Sequence, residues 1–173
     1  MSSNTDPSLL DVVVVGGSQA GLAVGYHLAQ RGLSFVILDA GPEVGHAWRS
    51  RWDSLRLFTP AQYSGLPGMA FPARSDTYPS KDDVAAYLQA YASAFDLPVR
   101  HDSAVTALMK SNEGYTVKTA NDAFAAGQVV VATGPFQVPF IPAIAGGADE
   151  TVAQIHSASI GIRHSCPRVR CSS

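Results

Sequence analysis

A glycine-rich turn near the start of the chain has the residue types and the spacing to bind phosphate. Residues 16–21, GGSQAG, follow the frame GxGxxG with Ser18 in place of the second glycine. Gly16 permits a tight turn, Gly21 lets a helix approach the preceding strand, and free N–H groups at the helix start would face a pyrophosphate. Asp39, 18 residues after Gly21, can accept hydrogen bonds from ribose hydroxyls. The pattern predicts dinucleotide binding.

The elements around this turn form a βαβ unit. The apolar runs at 9–15 and 35–38 predict strands, and residues 20–31 predict a helix that Gly32 ends. The runs do not alternate with polar residues, which is typical of parallel strands covered on both faces. The helical spacing places five residues on one face, namely Ala20, Ala23, Val24, His27 and Leu28.

The rest of the chain predicts a long irregular segment, a helix and a β-meander. Residues 41–79 lack periodicity, and a loop of that length in a domain is usually functional. Ser80 and Asp83 form a capping pair, after which apolar residues recur at helical spacing at Val84, Tyr87, Leu88, Tyr91 and Phe95. VRHDSAVTALMK and GYTVKT predict strands joined by the turn SNEG, and VVVAT predicts a return to the parallel sheet. The fold class is α/β, a Rossmann-like domain with a parallel sheet and a small β-meander.

Length and composition exclude several classes of function. With 173 residues the chain holds one domain, or one and a fragment of another. A net charge of −2 without basic clusters disfavours nucleic-acid binding, and no apolar run approaches the ~18 residues of a membrane span. Both cysteines, Cys166 and Cys171, lie at the end of the chain, so no disulfide framework and no metal site is predicted. Without a signal peptide, the expected location is cytoplasmic.

Two nucleotides fit the glycine turn, FAD and a nicotinamide dinucleotide. A nicotinamide domain would continue with further βα units, whereas here a Gly/Trp/Arg-rich loop, one helix and a meander follow. The later segments therefore favour FAD. A stand-alone NAD(P)-binding module remains an alternative.

From about Leu10 to Ser157 the sequence resembles the FAD domain of flavin-containing monooxygenases and related Baeyer-Villiger and bacterial NAD(P)H-dependent flavoprotein oxidoreductases. The resemblance rests on VVVVGGSQAGLAVGYHL, LDAGPEVGHAWRSRWDSLRLFTP, YPS at 78–80, VVVATG, and HS at 156–157. It implies an FAD-dependent monooxygenase or oxidoreductase that acts on a small-molecule substrate, of which this chain is the N-terminal part. It implies nothing about the oligomeric state.

The resemblance also assigns cofactor-binding residues. It places the pyrophosphate at Gly16, Ser18, Gln19, Ala20 and Gly21, and the adenosine ribose at Asp39, a position more often Glu in the family. It places the ribityl chain or flavin ring at Gly45, Trp48 and Thr59, the adenine at the backbone of Val105, and the exit from the FAD domain at Thr133 and Gly134. No catalytic side chain is assigned, because the flavin carries the oxidation chemistry.

The last residues depart from the family. The resembled enzymes continue past HS into a second glycine-rich unit for NADPH, and we expect that site to be absent here. One coding of residues 158–171, read after its first two bases, gives EYRHSAQLPAGSV, which is similar to the family's continuation. We therefore expect an FAD domain, N-terminal part only, at 9–157 and a frameshifted tail at 158–173. The chain alone is then expected to be inactive, and a truncated product with residual nucleotide binding is the alternative function.

Overall fold

Six strands and three α-helices make up the part of the chain that the computed structural model describes, residues 9–134, 140–147, 149, 151–152 and 154–156. The strands are β1 Leu10–Val15, β2 Phe35–Leu38, β3 Val99–Arg100, β4 Ala107–Ser111, β5 Gly114–Lys118 and β6 Ala123–Val131. The helices are α1 Gln19–Gln30, α2 His46–Arg49 and α3 Lys81–Ala94. Across these described ranges, no helix is both long and apolar enough to cross a membrane.

The strands form one mixed sheet in the order β3-β2-β1-β6-β5-β4. β1 lies between β2 and β6 and is parallel to both, with Val13 paired to Val36 on one side and to Val129 on the other. The predicted parallel arrangement of the three apolar runs is therefore confirmed. Their carboxyl ends lie at one edge of the sheet, which is where ligands bind in open α/β sheets.

Both faces of β1 and β2 are buried, which explains their apolar sequences, whereas Val131 at the end of β6 is exposed. On one face Val12, Val14 and Ile37 pack against the helices, in a cluster that includes Leu22 and Tyr91. On the other face a second cluster joins the strands to the meander, with members Val13, Val36, Leu38, Val117 and Ala126. The meander thus covers the face that the helices leave open.

β6 links the meander to the parallel sheet. Its first half, from Ala123 to Ala126, pairs with β5, and its second half, from Gln128 to Val131, pairs with β1. The three-stranded meander and its two-residue turn at 112–113 agree with the sequence prediction.

The prediction of one strand across residues 99–110 is wrong. β3 pairs with β2 at one edge of the sheet, whereas β4 begins at Ala107 at the opposite edge. Asp102 has a positive φ of 51° between them, and its N–H donates to the carbonyl of Gly41 at 3.0 Å. A left-handed residue ends an extended strand, so the chain crosses from one edge to the other here.

Helix α1 is most deeply buried at residues other than the five that share its predicted face, of which Val24 and Leu28 are partly buried. Its buried residues are Gly21, Leu22 and Gly25, whereas Ala20 and His27 are exposed. A Cβ at Gly25 would lie 2.7 Å from Cδ1 of Ile37, so the glycines allow the helix axis to approach the sheet closely.

Helix α3 begins with the predicted capping box. Ser80 accepts a hydrogen bond from the Asp83 N–H at 3.2 Å, and the Asp83 carboxylate accepts one from the Ser80 N–H at 2.9 Å. Its apolar side, which includes Val84 and Leu88, is buried as predicted. The cap fixes where the helix starts, and the apolar side fixes which face packs on the sheet.

Two tyrosines of α3 hold the irregular segment against the core. The Tyr87 hydroxyl donates to the carbonyl of Met69 at 2.7 Å, and the Tyr91 hydroxyl donates to the carbonyl of Pro67 at 2.6 Å. Burial, together with the neighbouring Tyr87 and Tyr26, raises the pKa of Tyr91 to about 12. The segment between α2 and α3 is therefore an ordered part of the fold.

Candidate functional site

The carboxyl ends of three parallel strands meet around the glycine turn. Gly16 directly follows β1 and its N–H donates to the carbonyl of Leu38, the last residue of β2, at 2.8 Å. Ala132 directly follows β6 and its N–H donates to the carbonyl of Val15 at 2.7 Å. Asp39 and Thr133 continue from these ends. The fold therefore brings the turn, the acidic residue and the exit of β6 to one crevice.

The turn has no room for side chains at two of its glycines. Gly16 has a φ of +108°, and a Cβ there would lie 2.5 Å from the carbonyl oxygen of Ala132. A Cβ at Gly21 would overlap the carbonyl oxygen of Gly16. Ser18 is the N-cap residue of α1, but its side chain does not cap the helix. The backbone N–H groups at the start of α1 are therefore not satisfied by the Ser18 side chain.

Asp39 is hydrogen-bonded both to the backbone of the glycine turn and to the backbone of the loop after β2. Its Oδ2 accepts from the Gly17 N–H at 2.6 Å, and its Oδ1 accepts from the Gly41 N–H at 2.9 Å. Each carboxylate oxygen can accept a further hydrogen bond, so Asp39 keeps acceptor capacity for ribose. The motif spacing did not predict this support of the turn. The sequence feature that could have indicated it is Gly41, two residues after Asp39.

The loop after β3 lies alongside Asp39. The Ser103 N–H donates to the carbonyl of Asp39 at 2.8 Å, next to the bond between Asp102 and Gly41. Val105 is half-buried and packs on the cluster shared by the sheet and the meander. A groove of about 420 Å³ lies between this loop and the turn that joins β5 to β6. Val105 therefore lies in the same loop as Ser103, the residue that contacts Asp39.

The residues assigned to the flavin end lie farther along the chain. Gly45 is buried at the N-cap of α2 with a φ of +86°, and a Cβ there would lie 2.8 Å from Cα of Ala85 in α3. Trp48 on α2 is half-buried against the main core cluster. Thr59 is exposed on a segment whose Leu57 N–H donates to the carbonyl of Pro79 at 2.8 Å. α3 and the residues before it therefore set the positions of α2 and of this segment.

The sequence-predicted residues thus fall into three groups. Gln19 and Ala20 are the exposed first residues of α1, beside the turn, and Thr133 and the exposed Gly134 follow β6 at the same edge. Gly45, Trp48 and Thr59 belong to the segment between β2 and α3, and Val105 to the loop before β4. Within the described ranges, no group of three or more His, Cys, Asp or Glu residues could hold a metal ion.

Two curated proteins are similar to most of this chain but are much longer. The chain is 46% identical over 149 residues to a CzcO-like oxidoreductase of Geobacillus kaustophilus, covering 86% of this chain and 43% of that protein. It is 35% identical over 144 residues to the indole-3-pyruvate monooxygenase YUCCA1 of Oryza sativa subsp. japonica, covering 78% of this chain and 34% of that protein. The chain therefore spans less than half the length of these relatives.

A solved structure and a family model agree with these similarities. The flavin-containing monooxygenase from Stenotrophomonas maltophilia matches with a TM-score of 0.73 and 40% identity, over 77% of this chain and 41% of that one. The model of the pyridine nucleotide-disulphide oxidoreductase family matches residues 13–162. The chain therefore belongs to this family of flavoprotein oxidoreductases and is similar to the N-terminal, FAD-binding part of its flavin monooxygenase members.

Proposed function

We propose that this chain is the FAD-binding portion of a flavin-dependent oxidoreductase of the monooxygenase type, which uses NAD(P)H and acts on a small molecule. The crevice at the carboxyl ends of β1, β2 and β6 carries this proposal. There Gly16 and Gly21 permit a tight turn in which any Cβ would clash with backbone atoms, and Asp39 offers a carboxylate beside it. FAD, when bound, supplies the redox chemistry, and the protein binds and orients it.

The glycine turn fits the diphosphate of a dinucleotide. The first turn of α1 carries no acidic residue, so no side chain of that turn repels an anion at the positive end of the helix dipole. The backbone N–H groups at Ser18, Gln19 and Ala20 would hold the phosphate oxygens. Because the Ser18 hydroxyl does not cap the helix, it is available to donate to the same oxygens.

The remaining residues would hold the two ends of the cofactor. Asp39 would accept hydrogen bonds from the adenosine ribose, and the backbone of Val105 would meet the adenine. Gly45, Trp48 and Thr59 would face the ribityl chain or the flavin ring, and Thr133 and Gly134 would border the site after β6. No side chain of the described residues is assigned a proton-transfer step.

FAD titration of the purified 173-residue chain tests the proposal. We expect a yellow protein with a flavin absorbance band, measured together with the dissociation constant by calorimetry. Gly21→Ala should raise the dissociation constant for FAD at least about tenfold, because the new Cβ overlaps the Gly16 carbonyl and moves α1 away from the turn. The matched control is Gly127→Ala, whose Cβ would lie 3.5 Å from the Asp11 carbonyl oxygen, an ordinary contact.

Other outcomes would favour the alternatives. A colourless protein that binds NADH or NADPH tightly would indicate a nicotinamide-binding module. Unchanged FAD affinity in the Gly21 variant would show that the glycine turn is not part of the binding site. We further propose that this chain does not oxidise NADPH by itself, because the chain spans less than half the length of its relatives. Sustained NADPH consumption by the purified chain with FAD would contradict this.

The proposed division into a domain at 9–157 and a frameshifted tail at 158–173 also stays a prediction. Residues 157–173 lie outside the part of the chain that the structure describes. The nucleotide sequence of the gene, read several hundred bases past residue 157, tests it. The prediction fails if the shifted frame encodes no second glycine-rich strand-turn-helix.

A further inference from the structure

Lys81 is a buried lysine for which the proposed cofactor contacts have no role. It is the first residue of α3, and its side chain is 10% exposed. Its ammonium donates to the carbonyl oxygen of Arg49 at 3.0 Å and to Oδ1 of Asp82 at 3.3 Å. A third acceptor, Oδ1 of Asp53, lies at 3.7 Å. The three acceptors come from three different segments of the chain.

This location is unfavourable for a cation unless the contacts compensate. A positive charge in the first turn of a helix opposes the helix dipole. Removing an ammonium from water costs several kcal/mol unless hydrogen bonds and counter-charges replace its hydration. Asp82 and Asp53 are largely exposed and would be well solvated without Lys81. The contact that requires a buried ammonium is therefore the one to the Arg49 carbonyl.

The Arg49 carbonyl is the last one of α2, the helix that carries Trp48. Carbonyls at a helix end have no partner within the helix, and a cation there also interacts favourably with the dipole. The Arg49 side chain makes a second connection to α3, donating to Oε1 of Gln89 at 3.2 Å. The Lys81 N–H in addition donates to the carbonyl of Leu55 at 3.1 Å. Lys81 thus connects α3 both to the end of α2 and to the segment that follows it.

We propose that Lys81 is a positioning residue for the flavin end of the site. It holds α2 so that Trp48 faces the flavin ring, and it does not contact the cofactor itself. This inference rests on the proposed function. It adds that the two ends of the site are held separately, the adenosine end by Asp39 and the glycine turn, and the flavin end by Lys81.

Separate support of the two ends predicts separate effects on two ligands. ADP contains only the part of FAD that would lie at the glycine turn and Asp39. Lys81→Met keeps most of the side-chain volume and removes the ammonium. It should raise the dissociation constant for FAD about tenfold and leave that for ADP within about twofold. A general loss of folding would weaken both ligands, so the ratio of the two effects identifies a positioning role.

The experiment compares wild type, Lys81→Met, Lys81→Arg and the control Lys118→Met by calorimetric titration with FAD and with ADP. Lys118 is exposed on β5, so its variant should match wild type. Lys81→Arg keeps a cation and should recover part of the FAD affinity. The fluorescence of the bound flavin should change most in Lys81→Met and should match wild type in Lys118→Met.

Equal losses for FAD and ADP, or no loss for either, would overturn the inference while leaving FAD binding by the wild type intact. A wild type that binds no FAD would overturn the proposed function and the inference with it. If Lys81→Met does not fold, Asp53→Asn removes a counter-charge 3.7 Å from the Lys81 ammonium while keeping the ammonium itself. That variant should raise the FAD dissociation constant about twofold to threefold without affecting ADP, and an unchanged FAD constant would overturn the inference.

Discussion

Replacing Asp39 by asparagine tests how the candidate site is held together. The two oxygens of Asp39 accept backbone hydrogen bonds from Gly17 at 2.6 Å and from Gly41 at 2.9 Å. Asparagine has only one carbonyl oxygen, so its amide nitrogen must face one of these two N–H groups. The variant therefore loses one hydrogen bond, places two donors against each other, and removes the charge from the remaining bond.

The structure sets the size of the expected effect. A hydrogen bond to a charged group contributes about 1.5–3 kcal/mol. We expect Asp39→Asn to lower the free energy of unfolding by about 2 kcal/mol, which for a chain of this size lowers Tm by about 4–8 °C. Because the same change disturbs the turn and removes a charged acceptor for ribose, the dissociation constant for FAD should rise about 30-fold.

Urea denaturation of the apoprotein and calorimetric titration with FAD measure the two effects. Asp11→Asn is the matched control, since Asp11 also accepts a backbone hydrogen bond, from the Ser34 N–H at 2.7 Å, but lies near the opposite end of β1. The control should lose some stability and keep its FAD affinity. The reasoning is refuted if Asp39→Asn binds FAD as wild type does, or if Asp11→Asn weakens FAD binding equally.

Three further substitutions test the supports of the site. Gly45→Ala places a Cβ too close to the α3 backbone at a residue with a φ of +86°. The free energy of unfolding, measured in urea, should fall by at least about 2 kcal/mol. A decrease below about 0.5 kcal/mol would contradict this expectation. Tyr91→Phe leaves the Pro67 carbonyl without its donor and should cost about 1–2 kcal/mol. Folding raises the pKa of Tyr91 from 10.0 to about 12, so wild type should lose stability as the pH rises from 10 towards 12. An equal loss of stability in Tyr91→Phe would show that Tyr91 is not its cause. Ser80→Ala should cost about 1 kcal/mol at pH 7. Hydrogen bonds from Ser80 lower the pKa of Asp83 below its usual 3.8. The difference in unfolding free energy between wild type and Ser80→Ala should therefore be complete above pH 3.8 and should decrease as the pH falls through the lowered pKa. Acid titrations of the stability of both proteins measure this difference.

Local signals in the sequence predicted much of the fold. The unalternating runs at β1, β2 and the end of β6 predicted three parallel strands, because only a strand covered on both faces can bury every residue. Ser80 and Asp83 predicted the start of α3, because a capping box involves residues three apart. The split between β3 and β4 was not predictable in this way. It depends on hydrogen bonds from the loop after β3 to Asp39 and Gly41, some sixty residues earlier in the chain.

The face of α1 shows a second limit. The helical spacing placed Ala20 and His27 on one face of α1, yet the most deeply buried residues of the helix are Gly21, Leu22 and Gly25. A search for apolar side chains at helical spacing ignores glycine, although Gly21 and Gly25 are the positions where α1 approaches its neighbours too closely for a side chain.

The sequence by itself determined the glycine turn, the acid that follows the second strand, and the order of elements around them, because these features involve neighbouring residues and the backbone conformations those residues favour. Only the tertiary structure decided that Gly17 donates to Asp39, that the end of β6 borders the turn, and that Lys81 reaches the end of α2. These contacts join segments about twenty to more than one hundred residues apart. Their existence depends on how the sheet and helices pack, which spacing along the chain does not encode.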